Sequence, residues 1–430
     1  MRVLLVGASG FIGRHLLEAL VAAGHELIAT SRQLPQPALP GVHWRALDLE
    51  RLAVDPAHFQ WPEGVELLIN ASGLLSPDPG ALARVQSDGP CALFARAATE
   101  GARVLQISAL GAGEQPDSPF LASKARADDY LLGLGIPALV LRPSLVLGSG
   151  GRSSQWLLRL SPWPLIPLLD RQARLQPLHV QDLVGAVLAL LREWPEAAQV
   201  LPLVGPQDMT QGQLIDQLRA AQGWPAGTYV GLSAALLGVA AALGDRFGWT
   251  ALNTALLRLS RRDNLADPLP LQHACGYRAA PLASRLQHWP VPGVSVTAAM
   301  RPLLLAALVL VWLWTALVCL GPGYGWGLRI MADAGIGGWP AATAVIGGGL
   351  LDGVLGLGLL IAPWRRRVLQ VQLGLMLGYS LVISLLLPAY WFDPFAGVAK
   401  NAVLLVATLW LLWTEPRLRR SPATARATAE

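Results

Sequence analysis

The chain has 430 residues, too many for one average domain. Apolar residues make up 53% of it and charged residues 14%, with a mean hydropathy of +0.44, so part of it belongs in lipid. The net charge of +5 comes without a basic run interleaved with aromatics, which excludes nucleic acid as the partner and suits an anionic membrane face.

Up to about residue 298, short apolar runs alternate with helical patterns. "RVLLVG", "HELIATS", "VELLINASG", "ARVLQISA" and "PALVLRPS" read as buried strands, with helices such as "FIGRHLLEALVAAG" and "GPCALFARAATEG" between them. That alternation predicts an α/β domain, a doubly wound parallel sheet covered on both faces. The opening "MRVLLVGASG" is too short an apolar stretch for a secretion signal, and its glycines have another use.

Gly7, Gly10 and Gly13 form G-x-x-G-x-x-G between the first strand and the first helix. The first glycine permits a tight turn. The second lets backbone approach a pyrophosphate, and the third lets helix and strand pack closely. The helix N-terminus then faces the anion. This context predicts a dinucleotide site at Gly7, Ser9, Gly10, Phe11, Ile12 and Gly13. The second strand ends in Ser31 and Arg32, where an Asp or Glu would meet a free ribose 2'-hydroxyl. Arg32 can pair with a 2'-phosphate, which favours NADP(H) over NAD(H). Its other reading is a solvated loop arginine.

Farther on, "VQDLVGAVLALLREW" is a helix with Asp182 as its expected N-cap. "LSAALLGVAAALGDRFGW", within 226–298, reads as a core helix or one lying on the membrane surface. It is short for a span. Cys91, Cys275 and Cys319 stand far apart, with no C-x-x-C and no histidine at metal spacing, so neither a zinc site nor a disulfide framework is expected.

After residue 298 four apolar segments, 302–320, 341–362, 368–387 and 398–413, predict an all-α four-helix transmembrane bundle. Arg301, "PWRRRV" and "EPRLRR" carry cations, whereas the loops 321–340 and 388–397 carry few. The positive-inside rule places the first domain and both termini in the cytoplasm, in a multi-pass protein of the inner cell membrane. Asp352 lies mid-span. It reads as a functional intramembrane carboxylate or as a hydrogen-bonded residue beside the Gly349–Gly353 packing motif. The expected boundaries are 1–225 and 226–298 for the two parts of the first domain, 299–416 for the bundle and 417–430 for a disordered tail.

Several motifs recur together. They are "GASGFIG", "LDLE" with Asp48, "NASG" (Asn70, Ala71, Ser72 and Gly73), "ISALGA" with Ser108, "SKARADDYL" with Lys124, "LRPSLVLG" with Arg142 and Pro143, and "LQPLHVQDLVGAV" with His179. "DNL" at 263–265 and "GYRAAPL" follow. On these residues, over 1–285, the chain resembles the short-chain dehydrogenase/reductase family. The likeness is to its atypical branch, related to the NAD(P)-binding accessory subunit of respiratory complex I. The membrane part resembles DoxX-like four-helix proteins through Asp352, "LPAYWFDPFAG" and "KNAVLL".

The first resemblance implies a Rossmann-type sheet. It puts Asp48 at the adenine, Ser108 at the place of the catalytic serine, and Lys124 on the nicotinamide ribose. The family's proton-carrying tyrosine would stand four residues before Lys124, where this chain has Phe120. That predicts cofactor binding kept and proton transfer removed. Tyr130 turns away from the face shared by 120 and 124. Ser108 reads as a carbonyl polariser or as a strand-end serine satisfying backbone. His179 reads as a substrate-side acid or as a structural histidine. Arg142 either fixes the strand-to-loop geometry or is solvated.

Two functions stay open, ahead of a thinner case for a transporter or channel gated by nucleotide, which rests on four short-looped helices and one carboxylate. One is a membrane-anchored NAD(P)-dependent oxidoreductase acting on a lipophilic substrate such as a quinone or isoprenoid. The other is a non-catalytic nucleotide-binding module that serves the assembly or redox sensing of a respiratory or other membrane complex.

Overall fold

The computed structural model describes residues 1–34, 41–114, 118–247, 253–289, 293–392 and 397–415, in two units, Met1–Val296 and Thr297–Glu430. The expected disordered tail lies outside the described residues.

In the first unit β1 (Arg2–Val6), β2 (Glu26–Ser31), β3 (Val42–Ala46), β4 (Leu67–Asn70), β5 (Arg103–Ile107), β6 (Ala138–Pro143) and β7 (Gln199–Leu203) form one sheet. Its order is 7-6-5-4-1-2-3, and every pairing is parallel. Side chains alternate between two buried faces. Val3 and Leu5 pack on one face with α1 (Phe11–Ala22), and Leu4 and Val6 pack on the other with α2 (Gly89–Thr99) and α3 (Pro119–Gly133). Both faces are covered, so the central strands read as continuous apolar runs. This is the predicted Rossmann-type doubly wound sheet. Its chain order reverses between β1 and β4, which opens a crevice at the carboxyl ends of these strands.

α4 (Val180–Arg192) corrects one expectation. Its N-cap is His179, whose Nδ1 accepts from the Gln181 N–H at 3.3 Å. Asp182 is fully buried in the first turn. There it pairs with Arg285 at 2.6 Å and accepts from the Tyr277 hydroxyl and the Ala280 N–H. The carboxylate thus ties "GYRAAPL" to the helix. Burial and this carboxylate push the Tyr277 phenol up to about 12. α5 (Ala234–Arg246) follows, capped by Ser233.

The second unit holds α6 (Val294–Leu320), α7 (Tyr324–Asp333), α8 (Gly338–Gly358), α9 (Ala362–Leu386) and α10 (Lys400–Thr414). α6, α8 and α9 are long and apolar enough to cross a membrane. The fourth expected span is α10, whose 15 residues make about 22 Å at 1.5 Å per residue, against a hydrocarbon core of about 30 Å. α7 occupies a stretch expected to be loop. α8 meets α6 through its glycines: a Cβ on Gly349 would lie 3.2 Å from Cys319 Cβ, and one on Gly356 2.8 Å from Leu313 Cδ2. Asp352 is buried on α8. At one end of the bundle Glu415 pairs with Arg301 and, at 3.3 Å, with Arg365. Arg301 and the Arg365–Arg367 segment, two of the three cationic segments behind the expected topology, therefore meet at one end, and the cations of the third lie outside the described residues.

Candidate nucleotide site

The glycine turn is built as its spacing requires. Gly7 has φ +78°, and a Cβ there would lie 2.9 Å from Ser72 Cα. A Cβ on Gly13 would lie 2.1 Å from the Gly7 carbonyl oxygen, so only glycine lets α1 sit on the turn. Gly10 donates its N–H to the Gly7 carbonyl at 2.9 Å and caps α1 with no side chain in the way. Ser9 and Gly10 are exposed, which leaves an open cradle of backbone at a helix N-terminus. Phe11 and Ile12 are half-buried. The Phe11 ring packs under the 148–151 loop, 3.0 Å from where a Gly151 Cβ would stand. These residues fit a dinucleotide pyrophosphate.

β2 delivers Ser31, buried, with its hydroxyl turned to the Gln33 carbonyl. Arg32 follows, exposed and with no acidic partner among the described residues. Asp48 caps the one-turn helix Leu49–Leu52 by accepting the Glu50 N–H at 2.9 Å.

Asn70 ends β4. Its side chain is fully buried, donating to Gln106 Oε1 at 2.8 Å and accepting the Ser72 N–H at 3.1 Å. Ala71 donates to the Val6 carbonyl, which clips the 70–73 turn to β1. Gly73 is exposed. Asn70 therefore shapes the turn, and it leaves Gly73 open to solvent.

Lys124 lies on α3, which starts at the Ser118 cap. It is 4% exposed. Its Nζ donates to the Ser72 carbonyl at 2.9 Å and to the Ile107 carbonyl at 3.1 Å. An ammonium has three N–H groups, so one is left for a ribose hydroxyl. Burial lowers its pKa to about 8, against the pull of Asp128. Phe120 stands half-buried one turn earlier on the same helix. Tyr130 is exposed on α3.

Ser108 follows β5 and donates to Asp128 Oδ2 at 2.7 Å. The same oxygen takes the Arg142 Nε at 3.1 Å, and Arg142 forms an ion pair with Asp128. Asp128 is fully buried, which raises its pKa, while Ser108 and Arg142 lower it. Pro143 is buried beyond Arg142 and accepts the Leu110 N–H at 2.9 Å. Arg142 thus ties β6 to α3.

His179 stands elsewhere. It is 6% exposed, and burial lowers its pKa to about 4. It lines a cavity of about 350 Å³ with His15, Gln181, Arg285 and Trp289. None of Ser108, Phe120 and Lys124 lines that cavity. As a neutral N-cap it is held in the tautomer that leaves Nδ1 as acceptor, so the fold gives it a structural task.

Two residues of the site escaped the sequence reading. Asp128 is one turn past Lys124, a spacing visible in "SKARADD". Gln86 is fully buried in a π-helical stretch, Arg84–Asp88, and donates to the Ser123 hydroxyl at 3.1 Å; Ser123 in turn donates to the Phe120 carbonyl. A π-turn of this kind often marks a functional site.

Comparison with known proteins agrees with this geometry. The NAD dependent epimerase/dehydratase family matches residues 3–200, and the DoxX-like family matches 309–409. A ceramide reductase of Caulobacter vibrioides is 31% identical over 198 residues, 44% of this chain and 61% of that protein. A mitochondrial NADH dehydrogenase [ubiquinone] 1 alpha subcomplex subunit 9 of Dictyostelium discoideum is 25% identical over 224 residues, 49% of this chain and 61% of that one. The chain thus spans about three fifths of the length of these two relatives. A 3-diazoavenalumate denitrifying reductase of Streptomyces sp is 30% identical over 44% of this chain and 71% of its own length. Among solved structures, MoeE5 in complex with UDP-glucuronic acid and NAD superposes with a TM-score of 0.52 at 19% identity, covering 66% of this chain and 96% of that one; it shares the fold. The chain belongs to the NAD dependent epimerase/dehydratase family through residues 3–200 and carries a DoxX-like domain at 309–409.

Proposed function

We propose that the protein is a membrane-anchored NAD(P)-dependent oxidoreductase that reduces a lipophilic carbonyl or quinone, with NADP(H) as the preferred cofactor. The observation that carries this reading is the placement of Lys124, with one N–H still free, against Ser72, the residue on which the Gly7 turn packs. The glycine turn and the α1 N-terminus hold the pyrophosphate. Arg32 holds the 2'-phosphate, and Lys124 orients the ribose. When bound, the nicotinamide supplies a hydride. Phe120 supplies no proton, and losing a general acid costs about 10²–10⁴-fold. A quinone suits such a site, because water can deliver the proton that balances the hydride. The reductases among the relatives support the reading. The cationic end of the bundle supports an inner-membrane protein with this domain in the cytoplasm.

The test is turnover by the purified full chain in detergent. NADPH oxidation that depends on a soluble short-chain quinone, and that is lost in Lys124→Met, is the expected result. Nucleotide binding without turnover on quinones and small carbonyls would overturn it.

That outcome favours a second reading, a non-catalytic module for a membrane complex. Phe120 and the engagement of the Ser108 hydroxyl by Asp128 speak for it, as does the complex I subunit among the relatives. For topology, a cysteine at Arg366→Cys should resist an impermeant label in intact cells. Its labelling would place the Arg365–Arg367 loop outside.

A further inference from the structure

We propose that α5 is a membrane-contact helix whose outer face lies in the lipid interface and holds the nucleotide-binding unit against the bilayer. This rests on the membrane-anchored reading above and adds a way for its lipophilic substrate to meet the site.

The helix reads "AALLGVAAALGDR", apolar all round until Asp245. One side is covered. Leu237 and Ala241 are buried against Leu257, with Leu169 packed on them. The other side is open: Leu236 is 65% exposed, Val239 63% and Leu243 44%. Positions 236, 239 and 243 recur at i, i+3 and i+7, so they form one stripe. A helix facing water carries charged residues on that stripe, and this one carries none. Its 13 residues make about 20 Å, too short to cross a core of about 30 Å. A helix apolar on both sides, covered on one and too short to span, needs a second apolar medium alongside it.

Two features of the chain argue for lipid as that medium. The same chain begins its first membrane helix, α6, at Val294. The end of α5 and the helix Thr254–Ser260 packed against it are also cationic. Arg246, Arg258 and Arg261 are exposed, and the single acid within 234–262, Asp245, accepts the Thr254 N–H. That balance suits anionic headgroups. Leu165, 58% exposed, adds apolar surface on the short strand Leu165–Leu168, whose partner strand Thr228–Gly231 leads into α5.

The experiment uses the full chain, with its three native cysteines replaced by serine, in vesicles of phosphatidylcholine and phosphatidylglycerol. A nitroxide is attached in turn at Leu236→Cys, Val239→Cys, Leu243→Cys and, as a water-facing control, Tyr130→Cys. The expected result is relaxation by oxygen exceeding that by a nickel chelate at the three α5 positions, and the reverse at 130. Nickel access at 236, 239 and 243 equal to that at 130 overturns the proposal. So does low access to both reagents with spin–spin broadening, which assigns the face to a second copy of the chain. Nucleotide binding by the same labelled proteins separates the two claims. Water-exposed labels on a protein that binds and turns over nucleotide sink the docking alone. Lipid-embedded labels on a protein without turnover sink the activity alone.

Discussion

The Ser108 hydroxyl donates to Asp128 Oδ2 at 2.7 Å, with both residues buried. A serine so engaged is a support for the Asp128–Arg142 pair before it is anything else. Ser108→Ala takes one donor from a buried carboxylate and should destabilise the fold by about 1–3 kcal/mol, while nucleotide affinity holds. Denaturant unfolding and a nucleotide titration of the same sample check this. Lost affinity at unchanged stability would place the hydroxyl on the cofactor instead.

Lys124 predicts a pH effect. Its pKa is about 8 in the folded chain against 10.5 for an ordinary lysine. Between these values the unfolded chain holds the proton and the folded chain does not, so stability rises with pH across this window. As pH falls through about 8, the folded state must carry the buried charge and that gain is lost. The rise between pH 8 and 10.5 should shrink in Lys124→Met. An unchanged profile would mean that the amine titrates like a surface lysine.

His179 predicts the acid side. Its folded pKa of about 4 lies below the ordinary 6.5, so its contribution is present above 6.5 and is lost as pH falls toward 4. His179→Asn keeps a good N-cap acceptor for the Gln181 N–H and removes the titration. The variant should fold, bind nucleotide like the parent and show a shallower loss of stability between pH 6.5 and 4. A collapse of turnover with binding intact would restore His179 as an acid.

Arg32 should set cofactor choice. It is exposed where β2 ends, free of any acid among the described residues. NADPH should bind more tightly than NADH, and Arg32→Ala should erase that difference. A charge-assisted pair of about 1.5–3 kcal/mol corresponds to roughly tenfold to a hundredfold in affinity. Equal affinities in the parent would remove the arginine from the site.

What could be read in advance follows physical range. The glycine turn was legible because Gly10 and Gly13 answer the Gly7 carbonyl only a few residues away, although Gly7 itself also packs on the distant Ser72. The strands were legible because a doubly covered sheet leaves continuous apolar runs. Asp128, on α3, was harder to find, since its meaning depends on Ser108 just past β5 and Arg142 on β6. The cap of α4 was misassigned because Asp outranks His as a cap, while Arg285 and Tyr277, about a hundred residues away, hold Asp182 inward. α7 hid in a stretch that opens on "GPGYGWG", where glycine lowers helix propensity.

The final prediction concerns position 120. Phe120 and Lys124 are one turn apart on α3, and the Phe120 carbonyl is tied to Ser123 and through it to Gln86. The backbone at 120 is therefore held independently of the ring. Phe120→Tyr adds one hydroxyl on a half-buried ring and should leave the fold and nucleotide binding unchanged. The new phenol lies on the helix face of Lys124, whose remaining N–H and positive charge favour the phenolate. If the frame supports proton transfer, turnover on a small carbonyl should rise toward the 10²–10⁴-fold that a general acid typically contributes. Turnover on a quinone, which takes its proton from water, should change far less. A variant that binds nucleotide and gains nothing on the carbonyl would mean that the substrate does not reach position 120. That result would shift the balance to the non-catalytic reading, in which Lys124 serves to hold the nucleotide.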